Sequence, residues 1–238
     1  MYKYYKEYKH QNHKDMKTNI AISKIYILES VDLNNGQNGL LIYGSQLKKE
    51  IDKSISASKH KSSLTCELIN INGQYQWQNA WKRIRRECQR GVKPMIHIIA
   101  HGKQKGLVIA GYKELPWCYV LKQFRKVNNL SQKELCVTMN VCYAGCCISN
   151  LFTSNELPFE FLLATPDPVS MNVFNTTKIA QHPFVIFYTT MISSRSIDKA
   201  LKRFKQSLPS KRKNDYSSWN LIHTDNAMPY KFAIEPIK

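Results

Sequence analysis

Short apolar runs, each of a length suited to a buried strand, recur along this 238-residue chain, and amphipathic segments separate them. The runs with strand character lie at 22–28, 64–71, 95–100, 135–141 and 159–164. The segments that predict helices lie at 43–55, 76–90, 117–127, 184–191 and 197–208. Strands that alternate with helices in this way favour an α/β fold with a mostly parallel sheet covered on both faces.

The segment 76–90 has the clearest helical period. Its apolar side consists of Trp77, Trp81, Ile84 and Cys88. The other side carries Lys82, Arg83, Arg85, Arg86 and Arg90. This pattern predicts an amphipathic helix packed on the sheet. Its basic outer face is either a solvated surface or a patch for nucleic acid or an acidic partner.

The two ends of the chain differ in character. Residues 1–19 mix Tyr, Lys, His and Asn without periodicity and predict a basic, flexible N-terminal arm. Residues 20–238 are then expected to form one domain, with a last edge strand at 231–235. No apolar run is long enough to span a membrane, and the N-terminus lacks the apolar core of a secretory signal. A cytoplasmic protein is therefore expected.

Charge and cysteine content narrow the picture only in part. The formal net charge of +18 could attract nucleic acid, an anionic membrane surface or an acidic protein, and it does not choose among them. Seven cysteines are an odd number, and their spacing matches no small disulfide scaffold. Free thiols in a reducing compartment are the expectation.

Two of the apolar runs end on a reactive side chain. The run 95–100 is followed by His101 and Gly102. The run 135–141 is followed by Cys142. Groups at the carboxyl ends of neighbouring parallel strands converge on a crevice outside the sheet. A histidine and a cysteine placed there can form a thiolate–imidazole pair, which is the minimum equipment for nucleophilic attack on a carbonyl.

Each residue near these strand ends receives a predicted role. A cysteine attacks as its thiolate, which a nearby imidazolium favours, and His101 would then protonate the leaving amine. The backbone N–H groups of Gly102 and Cys142 would form an oxyanion hole. Gly145 would allow a tight exit from the strand. A helix is expected to start at Ile148.

The other histidines and cysteines have structural interpretations. His97 lies in mid-strand and is expected in the core, and His182 precedes a helix. Cys146 and Cys147 are expected to be packing residues. The cysteines between 136 and 147 lack the paired CxxC spacing of a zinc site, so no metal and no other cofactor is predicted.

Two motifs carry a resemblance to a known family: His101-Gly102 after residues 96–100, and Cys142-Tyr143-Ala144-Gly145 after residues 135–141. They resemble the caspase-like (clan CD) cysteine peptidases, and the nearest branch is that of the bacterial CHAT and prokaryotic caspase-like domains. The similarity extends to a hairpin and Trp-bearing helix at 106–121 and to a helix pair at 187–201. It covers roughly residues 20–205.

The resemblance implies a three-layer fold around a mostly parallel, six-stranded sheet. The implied strand order is 2-1-3-4-5-6, with the last strand antiparallel. It also implies that His101 is the acid/base and Cys142 the nucleophile, and that the amides of Gly102 and Cys142 form the oxyanion hole. A third catalytic carboxylate is not generally required in such enzymes.

Substrate preference is less well defined. Val141 and Tyr143 differ from the residues that many relatives carry on either side of the nucleophile. The loop after strand five often lines the S1 pocket in such enzymes, and Asp167 in that loop would select Arg or Lys. Asp167 also lies between two prolines, where an Asp is a common turn residue. Asn140 is a second candidate for the S1 pocket.

The predicted function is therefore a cysteine endopeptidase with a Cys–His dyad that cleaves a protein substrate. The resemblance implies regulated proteolysis in a bacterial defence or cell-death pathway. Because the sequence shows no recognisable sensor domain, such regulation is expected from another protein subunit or from self-cleavage. Two alternatives stay open. One is a catalytically idle caspase-like scaffold, and the other is a basic protein that binds nucleic acid through its charged surface.

Overall fold

The structure is a computed structural model of the full chain. It describes residues 21–30, 44–58, 63–110, 113–151, 157–165, 179–208, 219–224 and 232–237. The predicted N-terminal arm, residues 1–19, lies outside these segments.

Strands and helices alternate through most of the described chain. The strands are β1 (Lys24–Ser30), β2 (Thr65–Asn70), β3 (Pro94–Lys103), β4 (Gly106–Ile109), β5 (Lys113–Pro116), β6 (Cys136–Asn140), β7 (Phe161–Ala164), β8 (Trp219–Thr224) and β9 (Phe232–Ile237). The helices are α1 (Gly44–Ala57), α2 (Gln74–Gln89), α3 (Trp117–Leu130), α4 (Pro183–Ser194) and α5 (Ile197–Ser207). Within the described segments, no helix combines the length and apolar composition needed to cross a membrane.

The main sheet has seven strands in the order β2-β1-β3-β6-β7-β8-β9. Its first five strands are parallel, and β8 and β9 run antiparallel to their neighbours. The expected count of six strands was therefore wrong. The additional strand, β8, mixes Trp, Leu and Ile with Asn, His and Thr, so no continuous apolar run marks it in the sequence. The expected edge strand at 231–235 corresponds to β9.

Helices cover both faces of the sheet, as the alternation of elements predicted. On β3, Ile96 and Ile98 belong to a core formed with α2 and α3. Met95 and Ile99 belong to a second core, formed with α1, α4 and α5. Side chains alternate between the two faces along a strand, so the continuous apolar run of β3 serves both cores at once.

The sequence predicted that the third strand ends at Ala100, just before His101. In the structure, β3 continues through His101 to Lys103. Beyond Ala100 the strand leaves the main sheet and pairs with β4, which in turn pairs with β5. The indole N–H of Trp117 donates to the carbonyls of Lys103 (3.2 Å) and Gln104 (3.1 Å). This anchors the tip of the predicted hairpin to the start of α3.

Hydrogen bonds to Glu87 fasten α2 to β1. The Glu87 carboxylate accepts from Lys24 Nζ (2.6 Å), Tyr26 Oη (2.7 Å) and Arg83 Nε (3.0 Å). Burial alone would raise the pKa of Glu87, but these three donors outweigh it and hold the pKa at about 2. The carboxylate is therefore ionised at neutral pH and its charge is balanced locally.

His97 is a core residue, as its mid-strand position predicted. It is fully buried, its Nδ1 lies 2.6 Å from Thr138 Oγ1, and that oxygen lies 2.8 Å from the Tyr188 hydroxyl. The rings of Phe184 and Tyr188 meet it edge-on. Burial, with a smaller effect of His182, lowers the pKa of His97 to about 3, so the imidazole is neutral at physiological pH.

This burial predicts an acid-dependent loss of stability that His97→Gln should reduce. The unfolded imidazole takes up a proton below its ordinary pKa of about 6.5, whereas the folded one does so only near 3. The folded state therefore loses stability as the pH falls through this window. Between pH 7.5 and 5, wild type should lose about 2 kcal/mol more unfolding free energy than His97→Gln. Urea titrations at both pH values measure the difference.

Tyr188→Phe is the matched control, because it removes a hydroxyl from the same network and leaves the imidazole in place. It should lower the unfolding free energy at both pH values by a similar amount. An equal pH dependence in wild type and His97→Gln would contradict the assignment.

Candidate functional site

The segments that carry His101 and Cys142 follow the paired parts of two neighbouring strands of the main sheet, β3 and β6. The two strands are parallel neighbours, and their paired residues run from Met95 with Cys136 to Ile99 with Asn140, a constant offset of 41 positions (136 − 95). His101 and Cys142 are separated by the same 41 positions (142 − 101). The last pair of this ladder, Ile99 with Asn140, lies two positions before His101 on one chain segment and two positions before Cys142 on the other.

The faces that β3 and β6 present can be followed as far as the two strands extend. Ile99 packs on the α1, α4 and α5 side, and His101 follows it by two positions on the same strand. Val141, directly before Cys142, packs in the α2–α3 core. Cys142 itself lies beyond the end of β6, so strand alternation does not assign its side chain to a face.

Gly102 is in direct contact with the backbone of Cys142. A Cβ atom built on Gly102 would lie 2.0 Å from the carbonyl oxygen of Cys142 and 2.6 Å from Cγ1 of Val141. No side chain fits there without a shift of backbone. The glycine after the histidine therefore permits the close approach of the two strand ends.

The hairpin orients the Gly102 amide toward β6. Lys103 and Gly106 close a two-residue turn, so they form a hydrogen-bonded pair and the Gly102–Leu107 pair is not hydrogen-bonded. The Gly102 N–H and carbonyl therefore point away from β4. The Ala110 N–H donates to Ser30 Oγ at the end of β1 (2.8 Å), which places β4 on the β1 side of β3. The Gly102 N–H thus points to the side where Cys142 lies.

Cys142 lies in a turn rather than at the end of a strand. The sixth strand ends at Asn140, and the positive φ that redirects the chain falls on Tyr143 (58°), not on Gly145 as expected. A bulky residue adopts this conformation only where the surroundings enforce it. The helix expected from Ile148 is a 3-10 helix at Ala144–Asn150.

Thr165 holds this turn in place and was not singled out in the sequence. It follows β7 and is fully buried, and its carbonyl accepts a hydrogen bond from the Gly145 N–H (2.6 Å). Its position at the carboxyl end of the next parallel strand was the available signal, because such ends share one edge of the sheet.

Exposure separates Cys142 from three of the other six thiols, whereas Cys66 and Cys146 are half-buried as it is. Cys142 is half-buried and His101 is exposed, so both can be reached from solvent. Cys88 and Cys147 are buried, and burial raises the pKa of each thiol to about 12. Cys118, on α3, is the exposed cysteine of the described residues. The packing role predicted for Cys147 is confirmed.

The structure describes one of the two candidate S1 residues. Asn140 is 1% exposed, and neither its amide nitrogen nor its amide oxygen has a hydrogen-bond partner among the described residues. Buried polar groups are nearly always paired, so this one calls for a partner that the described protein does not supply. Asp167 lies outside the described residues.

Comparison of the sequence with models of known protein families found no match, and comparison with curated protein sequences found none either. The activity of the site is therefore inferred from its residues and their arrangement.

The contact between Gly102 and Cys142 predicts a specific intolerance. Gly102→Ala should lower the unfolding free energy by about 1–3 kcal/mol, the usual cost of overpacking, because the added methyl group overlaps a backbone carbonyl. It should also change the rate at which iodoacetamide modifies Cys142. Urea titration and peptide mapping by mass spectrometry measure the two effects.

Gly73→Ala is the matched control, because the nearest atom to its added methyl group is a flexible Gln76 side-chain oxygen at 3.4 Å. It should leave the reactivity of Cys142 unchanged. If Gly102→Ala behaved like Gly73→Ala in both measurements, the close approach of the two strand ends would be refuted.

Proposed function

We propose that this protein is a cysteine endopeptidase in which Cys142 and His101 form the catalytic dyad. The observation that carries the proposal is the parallel pairing of β3 with β6, whose last paired residues, Ile99 and Asn140, lie two positions before His101 and Cys142. The direct contact of Gly102 with the Cys142 backbone supports it. A thiol and an imidazole in this arrangement suit acyl transfer, and a protein substrate is proposed from the caspase-like resemblance.

The proposed reaction has two steps. The Cys142 thiolate attacks the scissile carbonyl carbon and forms a C–S bond, while the C–N bond breaks and His101 gives its proton to the leaving amine. A water molecule then attacks the thioester, His101 accepts a proton from it, and the sulfur leaves as the thiolate. The half-buried position of Cys142 and the exposure of His101 allow substrate and water to enter.

The oxyanion that forms in each step needs preorganised donors. The Gly102 N–H is released from the β3–β4 ladder and points to the side of Cys142. With the Cys142 N–H it would form a pair of backbone donors in a fixed turn, so they would need no rearrangement during the reaction. The positive φ of Tyr143 helps to fix that turn.

Asn140 is proposed to bind the substrate in the S1 region. It lies two positions before the nucleophile, and its buried amide offers both a donor and an acceptor with no partner among the described residues. A hydrogen-bonding substrate side chain would satisfy both atoms. Asp167 is proposed as a second S1 group that would favour a basic side chain.

A cytoplasmic location and a role in regulated bacterial defence or cell death are proposed from the resemblance. All seven cysteines are free thiols, which fits a reducing compartment. A reducing environment also protects a nucleophilic thiol from oxidation.

Active-site labelling tests the dyad. A panel of peptidyl electrophiles that differ in the P1 residue should modify wild-type protein at Cys142, and Cys142→Ala should abolish peptide hydrolysis and this labelling. His101→Ala should lower kcat by about 10²–10⁴-fold, the range of a general acid–base contribution. Product formation and mass spectrometry of the labelled peptide measure both effects.

Cys118→Ala is the control, since Cys118 is the more exposed thiol and lies on α3. Its activity and labelling at Cys142 should equal those of wild type. Full hydrolysis by Cys142→Ala, or labelling confined to Cys118, would refute the proposed nucleophile.

A separate experiment tests the S1 role of Asn140. Asn140→Leu replaces an unpartnered amide by an apolar group of similar shape, so the unfolding free energy should stay the same or rise. KM for the preferred P1 substrate should rise at least about tenfold, and the preference among P1 residues should weaken. Thr138→Val on the same strand removes a hydroxyl that has partners, and it should lower stability by about 1 kcal/mol with little effect on KM. A large loss of stability without a change in KM would assign Asn140 to the fold instead.

A further inference from the structure

The outward faces of α2 and α3 form a cationic surface, and we propose that it binds single-stranded nucleic acid. Both helices pack on the same face of the sheet and contact each other, with the rings of Trp81 and Phe124 5.7 Å apart. Arg85 donates to Gln123 across the seam (3.0 Å). The inference is independent of the proposed peptidase activity.

Exposed cations follow the outer side of both helices. On α2 and at its end these are Lys82, Arg86 and Arg90, and on α3 they are Lys122 and Lys126. None of the five forms an ion pair with a carboxylate of the described residues. The two helices contain one acidic residue, Glu87, and it is already engaged by Lys24, Tyr26 and Arg83. The positive charge of this surface is therefore not compensated locally.

The charges of α1 are arranged differently. There Lys48 pairs with Asp52, and Lys53 pairs with Glu50. A helix that merely needs solubility can balance its charges in this manner. The α2–α3 surface instead presents one sign of charge, which attracts polyanions and concentrates them near the surface.

An exposed aromatic side chain on the outer side of α2 indicates which kind of polyanion this surface binds. Tyr75 is 73% exposed, and it is the large apolar side chain of the described residues that is mostly open to solvent. Its spacing to Lys82, Arg86 and Arg90 is seven, eleven and fifteen positions, so all four project from one side of α2. From Tyr75 to Arg90, this row of side chains extends for about 22 Å along the helix.

Single-stranded nucleic acid fits this combination. Its phosphates would pair with the lysines and arginines, and a base would stack on the ring of Tyr75, because every base has a π-face. The buried tryptophans of α2 cannot take that role, and Tyr75 can. An acidic protein would use the cations but would have no need of the exposed ring, and a duplex keeps its bases stacked inside.

Binding of a labelled oligothymidylate of about 20 nucleotides, measured by fluorescence anisotropy over a range of salt concentrations, tests the proposal. If the five cations each neutralise one phosphate, log K should fall with log salt with a slope of about −3.5. A duplex of the same length and a poly-glutamate of similar charge should bind at least about tenfold more weakly.

Two triple variants with the same change in net charge locate the site. Lys82→Glu/Arg86→Glu/Arg90→Glu should weaken oligothymidylate binding at least about tenfold and reduce the slope by about 2. Lys199→Glu/Lys202→Glu/Arg203→Glu changes three exposed cations of α5, on the other face of the sheet, and should have a much smaller effect. Equal losses in the two variants would show binding by net charge alone and overturn the proposed surface.

Tyr75 variants test the choice of single strands. Tyr75→Ala should weaken oligothymidylate binding about fivefold or more, and Tyr75→Phe, which keeps the ring, should not. An unaffected Tyr75→Ala, or a duplex or poly-glutamate that binds as tightly as the single strand, would overturn this choice. Because all these residues are exposed, circular dichroism and thermal unfolding of the variants should match wild type.

Cys118 provides a readout in the wild-type protein. It is exposed on α3, one turn from Lys122. Saturating oligothymidylate should slow its modification by a neutral maleimide several-fold. An unchanged rate at saturation would place the bound strand elsewhere.

Discussion

The parallel register between β3 and β6 is the constraint on which the candidate site depends. A slip of one residue would turn every side chain of one strand to the other face and move Cys142 away from His101. The register is protected from both sides, because β3 supplies apolar residues to two cores and His97 is tied to Thr138 on β6. A second hydrogen bond, between Thr138 Oγ1 and the Tyr188 hydroxyl, joins this pair to α4. A core interaction therefore fixes the register of the two strands that lead to the proposed catalytic residues.

Apolar cores lie on both faces of the sheet, but the helices that cover them differ in how their surface charges are arranged. Ion pairs balance the charges of α1, whereas α2 and α3 expose cations without nearby carboxylates. Exposed cations repel one another and add nothing to the stability of the fold. Packing of Trp77, Trp81 and Phe124 beneath them supplies the stability that makes such a surface tolerable.

Much of the architecture could be predicted from the sequence, and the errors have physical causes. The apolar runs of β3 and β6 are visible because burial on both faces requires continuous β-branched and aliphatic residues. Strand β8 has no such run, and its pairing with β7 depends on tertiary context. The continuation of β3 to Lys103 depends on its hairpin partner and not on its own residues.

The candidate site divides in the same way. His101, Gly102 and Cys142 could be named from local pattern, but the register that joins them could not, since it is a property of two distant segments. The backbone turn was expected at Gly145 and occurs at Tyr143, because the surrounding structure can impose a conformation that residue preference disfavours. Likewise, only the structure shows that the Asn140 amide has no partner among the described residues.

Because β3 pairs first with the main sheet and then with β4, His101 lies where the main sheet and the hairpin are joined. Residues 94–100 are paired within the main sheet, whereas residues 101–103 are paired within the hairpin. The tip of the hairpin is hydrogen-bonded to the Trp117 indole. A displacement of that tip would be transmitted to His101 through three residues of extended backbone. Cys142 belongs to a different segment, a turn that is hydrogen-bonded to Thr165 at the end of β7. The hairpin is thus connected through the backbone to one residue of the proposed dyad, so binding of a molecule to the hairpin would alter the position of His101 relative to Cys142.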